Sequence, residues 1–267
     1  MKKSSFTLFL ILIVTIAQAQ NGGNKNPSND KKEAKKQKVK EMIRQAEEGV
    51  LVYRKQNIFG IQARSNGYGI FYELGRMKSN RKTNIYRIDI TEIKSQKEDK
   101  QPHDGFYIGN PYIYGKINHF YQATLGFGQQ YILGQKGNKN GVSVSAVYSA
   151  GLSIGLLRPY YVEIRDPGTG ENRFIKYQSK DSTLFLSNAI IGGAPFGKGF
   201  NELSVKPGAF IKAALRFDYG RFNEAVQGIE AGVSLEGYGS KIPIMAHQKD
   251  KQIFFQAYLA IVFGRRK

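Results

Sequence analysis

The chain has 267 residues, a formal charge of +19, 30 glycines, 16 tyrosines and 17 phenylalanines, and neither cysteine nor tryptophan. That length accommodates one generous domain, or one domain with an extension. Lack of cysteine excludes a disulfide scaffold, a thiolate metal site, a cysteine nucleophile and the lipid anchor of a lipoprotein, and a hydrophobic fraction of 41% is too low for a bundle of membrane-crossing helices.

Met1-Lys2-Lys3 is a basic start, an apolar run covers 6–16, and Ala17-Gln18-Ala19 places small residues where a signal peptidase reads. This is the three-part pattern of a secretory signal over 1–19, with cleavage expected after Ala19 and an apolar core too short for a stop-transfer helix. Residues 20–49 form a second segment. Asn, Gly, Lys, Pro and Ser over 20–30 read as a linker; Lys, Glu, Gln and Ala over 31–48 are helix formers. Val39, Met42, Ile43 and Ala46 fall at helical spacing, and Gly49 supplies a left-handed stop. Lys35, Lys38, Val39, Met42 and Ile43 are therefore expected on a short basic periplasmic arm that docks on a partner or on the membrane surface. For an exported chain the positive charge points to lipopolysaccharide and lipid headgroups, and away from nucleic acid.

Over 50–267 the period changes from helical to two. The segment 142–156 shows it best: Val142, Val144, Ala146, Tyr148, Ala150, Leu152, Ile154 and Leu156 form one face, and Ser143, Ser145, Val147, Ser149, Gly151, Ser153 and Gly155 the other. One long greasy face against a small polar face suits lipid outside and a crowded lumen inside. The same alternation recurs over 121–133, 209–219, 229–236 and 253–263, and more weakly over 57–64, 67–76 and 83–94. These segments predict an all-β fold, an antiparallel up-and-down transmembrane barrel of about eight strands. The connections at 77–82, 134–141 and 220–225 are short, and those at 95–118, 159–206 and 240–251 long, as expected for periplasmic turns and outer loops. Tyr68, Tyr72, Tyr121, Tyr131, Tyr219 and Tyr258 lie near strand ends, where interfacial girdles form.

Parity places Glu73, Arg87, Asp89, Lys212, Arg216, Asp218, Glu230 and Glu236 on the lumen side. A small barrel has little bore, so charges of both signs are expected to interlock as a lattice; the alternative use is a narrow ion path.

Signal segment, lumen-polar alternating strands and a final aromatic strand ending at Phe263 together resemble the small outer-membrane β-barrels of Bacteroidota, the porin-like and PorT-like group. The resemblance covers roughly residues 57–265 and rests on pattern, not on a sharp motif. It implies location in the cell outer membrane and, for some members, roles in secretion or surface assembly, with no catalytic residues. Gly264-Arg265-Arg266-Lys267 after Phe263 departs from the terminal aromatic residue of many such proteins.

Chemical motifs are sparse. Gly192-Gly193-Ala194-Pro195-Phe196-Gly197-Lys198 matches the start of a phosphate-binding loop, but Gly199 stands where the magnesium-holding hydroxyl belongs. A glycine-rich external loop is the expected reading. His103, His119 and His247 are all expected near the outer rim, with Asp104, Asp166, Asp181, Ser182 and Asp250 nearby, but no nucleophile motif accompanies them. The sequence thus predicts a non-enzymatic barrel without cofactor or metal that supports an envelope or protein-secretion complex through a periplasmic or secretion-complex protein. The alternatives are a narrow pore or solute-binding barrel, an outer-leaflet lipid-modifying enzyme, and a soluble secreted β-barrel.

Overall fold

The structure, a computed structural model, describes residues 36, 37, 40, 53–101, 110–137, 140–178, 180–187, 189–222 and 224–267. The signal segment, the arm residues Lys35, Lys38, Val39, Met42 and Ile43, and His103 and Asp104 lie outside the described residues. Residues 36, 37 and 40 are helical and exposed, and belong to a unit separate from the one that begins at Gln45.

The described strands are, in chain order, β1 (Lys55–Arg64), β2 (Gly67–Ser79), β3 (Lys82–Ile93), β4 (Lys100–Gln101), β5 (Tyr112–Ile113), β6 (Asn118–Gly134) and β7 (Ser143–Pro159). There follow β8 (Tyr161–Arg165), β9 (Asn172–Lys176), the single-turn helix α1 (Ser182–Phe185), β10 (Ile190–Gly193), a 3-10 turn at Phe200–Glu202, β11 (Ser204–Asp218), β12 (Ala225–Ile242) and β13 (Lys251–Arg266). Eight of them close a barrel in the order β1-β13-β12-β11-β7-β6-β3-β2, each antiparallel to both neighbours. Closure pairs both edges of every strand, so the sheet has no open edge.

The registers fix the barrel's size. Perpendicular pairing runs from Ile58 through Glu73, Arg87, Gly126, Gly151, Phe210 and Glu236 to Phe254. Tyr258 pairs with Arg64, so Phe254 falls at register position 68 of β1, a shear of 68 − 58 = 10 residues. Eight strands with that shear have a tilt of roughly 40° and a backbone radius of roughly 8 Å. Such an interior is filled by side chains.

Three layers fill it. At the long-loop end, Phe120, Tyr238 and Phe254 meet edge to edge with centroids 5.3–5.9 Å apart, within a buried cluster that includes Ile93, Leu157 and Ile242. The middle layer is charged and is described below. At the short-turn end, Arg266 donates to Asp218 at 2.7 Å, Lys136 Nζ lies 3.5 Å from the same carboxylate, and Arg266 stands 5.1 Å over the Tyr53 ring. Burial pushes the Lys136 ammonium down, against the pull of Asp218.

Side chains alternate strictly across the wall. Outward-facing Leu125, Leu152, Ile253 and Phe255 are 60–71% exposed, while inward-facing Gln130, Ser153, Gln256 and Glu230 are nearly solvent-free. Tyr68, Tyr72 and Tyr219 face outward, but Tyr258 is 5% exposed and points into the lumen. It lies in the middle of β13, and its neighbours in parity, Phe254, Gln256 and Ala260, all point inward, so its place follows from the two-residue period. The connection 160–203 is also more ordered than its polarity suggests. It folds as a three-stranded sheet, β10-β8-β9, that packs Val162, Ile164, Ile175 and Ile190 around Phe185 of α1.

One glycine makes room for the lumen packing. A Cβ on Gly60 would sit 2.3 Å from the ring of Phe71, which itself lies 3.4 Å beneath the Arg87 guanidinium. Gly60→Val is therefore expected to lower the unfolding free energy in urea by about 1–3 kcal/mol. Gly134→Ala, where nothing lies within 4 Å, serves as the control and should leave the unfolding midpoint unchanged.

Candidate functional site

The middle of the lumen holds four buried cations, Arg64, Arg87, Lys212 and Arg216, and four buried anions, Glu73, Asp89, Glu230 and Glu236. Each arrives from the inward parity of its strand: Arg64 from β1, Glu73 from β2, Arg87 and Asp89 from β3, Lys212 and Arg216 from β11, Glu230 and Glu236 from β12. Two opposite-charge pairs face each other directly across adjacent strands, Glu73 with Arg87 and Arg216 with Glu230. The remaining contacts cross the bore.

Arg216 is the hub. Its Nη1 and Nη2 donate to the two oxygens of Glu73 at 2.8 and 2.7 Å, a bidentate fork. Nε and Nη2 also donate to Glu230 Oε2, at 2.8 and 2.6 Å. The other Glu230 oxygen accepts from Arg87 Nη1 at 2.7 Å and from the Tyr258 hydroxyl at 2.8 Å. Arg87 Nε reaches Asp89 at 3.3 Å, and Asp89 takes Lys212 Nζ at 2.7 Å and the Thr124 hydroxyl at 3.2 Å. Beside this chain, Arg64 pairs with Glu236 and donates to Thr91, Gln122 and Ser234, at 3.0, 3.0 and 3.1 Å.

Of the eight charged residues expected in the lumen, Glu73, Arg87, Asp89, Lys212, Arg216 and Glu230 are brought into one connected network. Glu236 sits beside it on Arg64, and Asp218 belongs to the separate layer at the short-turn end. Arg64 and Tyr258, which also carry the inward parity of their strands, are not among the eight expected. The charges balance within the bore, and an arginine stacked on phenylalanine or forked to a carboxylate has few donors left for a passing ion. Chemically the arrangement is a strut across the barrel.

The two described histidines lie at the long-loop end. His119, on the outer wall, has Nδ1 3.6 Å from Glu92 and stacks near Tyr121; His247 stacks near Tyr114. Asp166 pairs with Arg173 instead, at 2.8 Å. Among the described residues no group of three or more metal-ligating side chains could hold a metal ion. Gly192 and Gly193 of the glycine-rich loop pair with β8, so that stretch is sheet and not a phosphate cradle.

No protein-family model matches the chain, and no curated protein does. Among solved structures the chain is similar to Neisserial surface protein A, at 9% identity over 80% of this chain and 96% of that one, with a TM-score of 0.39. It is similar to Ail, the attachment invasion locus protein of Yersinia pestis, at 10% identity over 81% and 100% of the two chains, TM-score 0.39. The N-terminal β-barrel domain of Pseudomonas aeruginosa OprF matches at 12% identity over 80% and 99%, TM-score 0.35.

Removing one charge from the hub strands its partners. Glu230→Gln is expected to cost about 3–5 kcal/mol of unfolding free energy, measured by urea titration in phospholipid vesicles. Adding Arg216→Met restores the charge balance, so the double variant should lose about 1–3 kcal/mol less than the sum of the two single variants. Strict additivity would contradict the network.

Proposed function

We propose that the chain is a β-barrel of the outer membrane of a Gram-negative bacterium. Its bore is a structural strut, and its long-loop end presents a folded surface to an envelope or protein-secretion complex. The observation that carries this reading is the outward face. Exposed Phe59, Ile88, Leu125, Leu152, Ile211, Leu235 and Phe255 encircle the barrel on seven of its eight strands, and Tyr72 and Leu74 continue the belt on the remaining one. A soluble monomer rarely exposes a contiguous apolar patch beyond a few hundred Å². Here the belt is continuous while the middle of the bore is charged, the inverse of a soluble barrel, and each of the eight barrel strands has at least ten residues, enough to cross a bilayer at this tilt.

Sidedness follows from the ends. The three connections at the end where β13 finishes are short, and the other end carries the two longest, 94–117 and 160–203, beside the tight Ser65–Asn66 turn and the connection 243–250, an arrangement that fits periplasmic turns and outer loops. The secretory pattern over 1–19 supplies export to this reading, and the basic segment 20–49 supplies an arm on the periplasmic side for a partner protein. The sheet β10-β8-β9 is a loop with its own core, and a rigid displayed loop is suited to binding. The likeness in pattern to the porin-like and PorT-like barrels of Bacteroidota supports the assembly role. A non-enzymatic role belongs to this reading; His119 is engaged by Glu92 and by the rings of Tyr121 and Tyr160.

The test is fractionation of cells expressing the full chain, followed by an unboiled gel. Recovery in the outer membrane with a faster-running unboiled band is expected. Leu152→Arg, on the lipid face, should weaken the fold by up to about 2–4 kcal/mol and reduce the fast band. Recovery of the chain in the soluble periplasm, with Leu152→Arg silent, would refute the membrane reading.

A further inference from the structure

Among the described residues, one buried cation at the long-loop rim has no acidic partner. Arg158 is 3% exposed, forms no ion pair with any described residue, and its Nε lacks a hydrogen-bond partner. Its Nη1 donates to the carbonyl of Phe196 at 2.6 Å, and its guanidinium lies 4.6 Å from the Phe200 ring, 4.8 Å from Phe196 and 5.7 Å from Tyr121. Stacking on aromatic faces holds a guanidinium in place, but it does not neutralise a charge taken out of water. Lys116, a second buried cation of the same rim, shows the contrast. Burial pushes its ammonium down, and Glu98 Oε2 at 2.7 Å opposes that shift.

Arg158 lines a cavity of about 400 Å³ together with His119, Lys100, Lys198, Tyr161 and Phe196. No acidic residue is among the described residues that line it. The described lining is therefore cationic and aromatic-walled, with one fixed, dehydrated guanidinium and two exposed ammonium groups. A planar, preorganised guanidinium matches oxyanions, and with two further cations beside it a phosphate's higher charge is favoured over a single carboxylate.

The cavity's place on the wall narrows the source. On the neighbouring strands β6 and β7 the outward face changes at one register: Tyr121 and Leu156 are paired, and the next outward pair is His119 and Arg158; on β3 the change comes one outward residue earlier, at Glu92 opposite Tyr121. His119 and Arg158 are direct cross-strand partners there. The site thus lies outside the barrel, immediately beyond the apolar belt, at the height where lipid headgroups stand when the belt is in a bilayer. The strap that covers it turns at Gly199, whose φ is +91° and where a Cβ would sit 2.7 Å from the Pro159 carbonyl oxygen.

We propose that this rim cavity binds the phosphate of a glycolipid headgroup in the outer leaflet, with Arg158 as the anchor, Lys100 and Lys198 as outer cations, and Tyr161 and Phe196 as walls for the sugar. The assignment to a lipid rests on the membrane reading above; the assignment to a sugar phosphate does not.

The test uses the full chain refolded in neutral detergent, with bis-phosphorylated lipid A, dephosphorylated lipid A and free glucosamine 6-phosphate as three titrants. Saturable binding of the phosphorylated lipid is expected, with the dephosphorylated lipid at least tenfold weaker. Arg158→Gln should weaken the phosphorylated lipid at least tenfold and Lys198→Gln about threefold. Lys82→Gln, at the opposite end, should change nothing. An unboiled gel checks that each variant is folded; if Arg158→Gln is not, the Lys100→Gln/Lys198→Gln pair, with both residues exposed, carries the test with a loss of at least fivefold. Equal affinity for the free sugar phosphate, lost in the same variants, would uphold the phosphate site and overturn the lipid source. Unchanged binding in folded variants, or no discrimination between the two lipids, would overturn the site itself.

Discussion

Arg216 inside the barrel sets the terms for everything around it. A guanidinium with 1% exposure has lost nearly all its hydration, and it is tolerated because two carboxylates, Glu73 and Glu230, reach it from different strands. Each carboxylate in turn needs a second cation, and Arg87 serves for Glu230 at 2.7 Å while approaching Glu73 at 3.7 Å. The network can be satisfied only when β2, β3, β11 and β12 are all in their observed registers. A slip of one residue on any of them would swing its charges to the outer wall and its apolar side chains into the bore. The polar interior therefore specifies register, while the outward face supplies the wall that needs lipid.

Size completes the argument. With a backbone radius of roughly 8 Å, eight strands leave an interior about wide enough for side chains to fill. That space is closed three times over: by Phe120, Tyr238 and Phe254 at one end, by the balanced charges in the middle, and by Arg266 and Asp218 at the other. Activity is accordingly sought on the surfaces at the two ends and along the rim, not through the bore.

The wall was legible in the sequence because a strand's period is two and the two solvents differ. Lipid and lumen select opposite residue types, so Val144 to Leu156 on β7 declare their face one by one. The charged positions of the lumen were legible for the same reason. Their partners were not. Whether Arg216 meets Glu73 depends on the closure of β1 with β13 and on the shear, which are properties of all eight strands together. Tyr258 belongs to the lumen and not to an interfacial girdle: it lies mid-strand in β13 and carries the inward parity of Gln256 and Ala260. The sheet β10-β8-β9 was hidden by its short strands, five residues or fewer, among glycines and charged residues. Arg158 was hidden more deeply still: by parity it faces outward, and only the strap carrying Phe196 and Phe200 removes it from water.

The most direct test of the closed, charge-braced bore is electrical conductance of the purified full chain in a planar lipid bilayer, with the Glu230→Gln/Arg216→Met pair measured alongside. A braced and filled lumen predicts no stepwise conductance above that of the protein-free bilayer for the wild-type chain, with any opening confined to the variant that removes the brace. Steady ohmic steps from the wild-type protein, altered in size or selectivity by neutralising Arg87 or Lys212, would contradict it and make the lumen charges the lining of a pore.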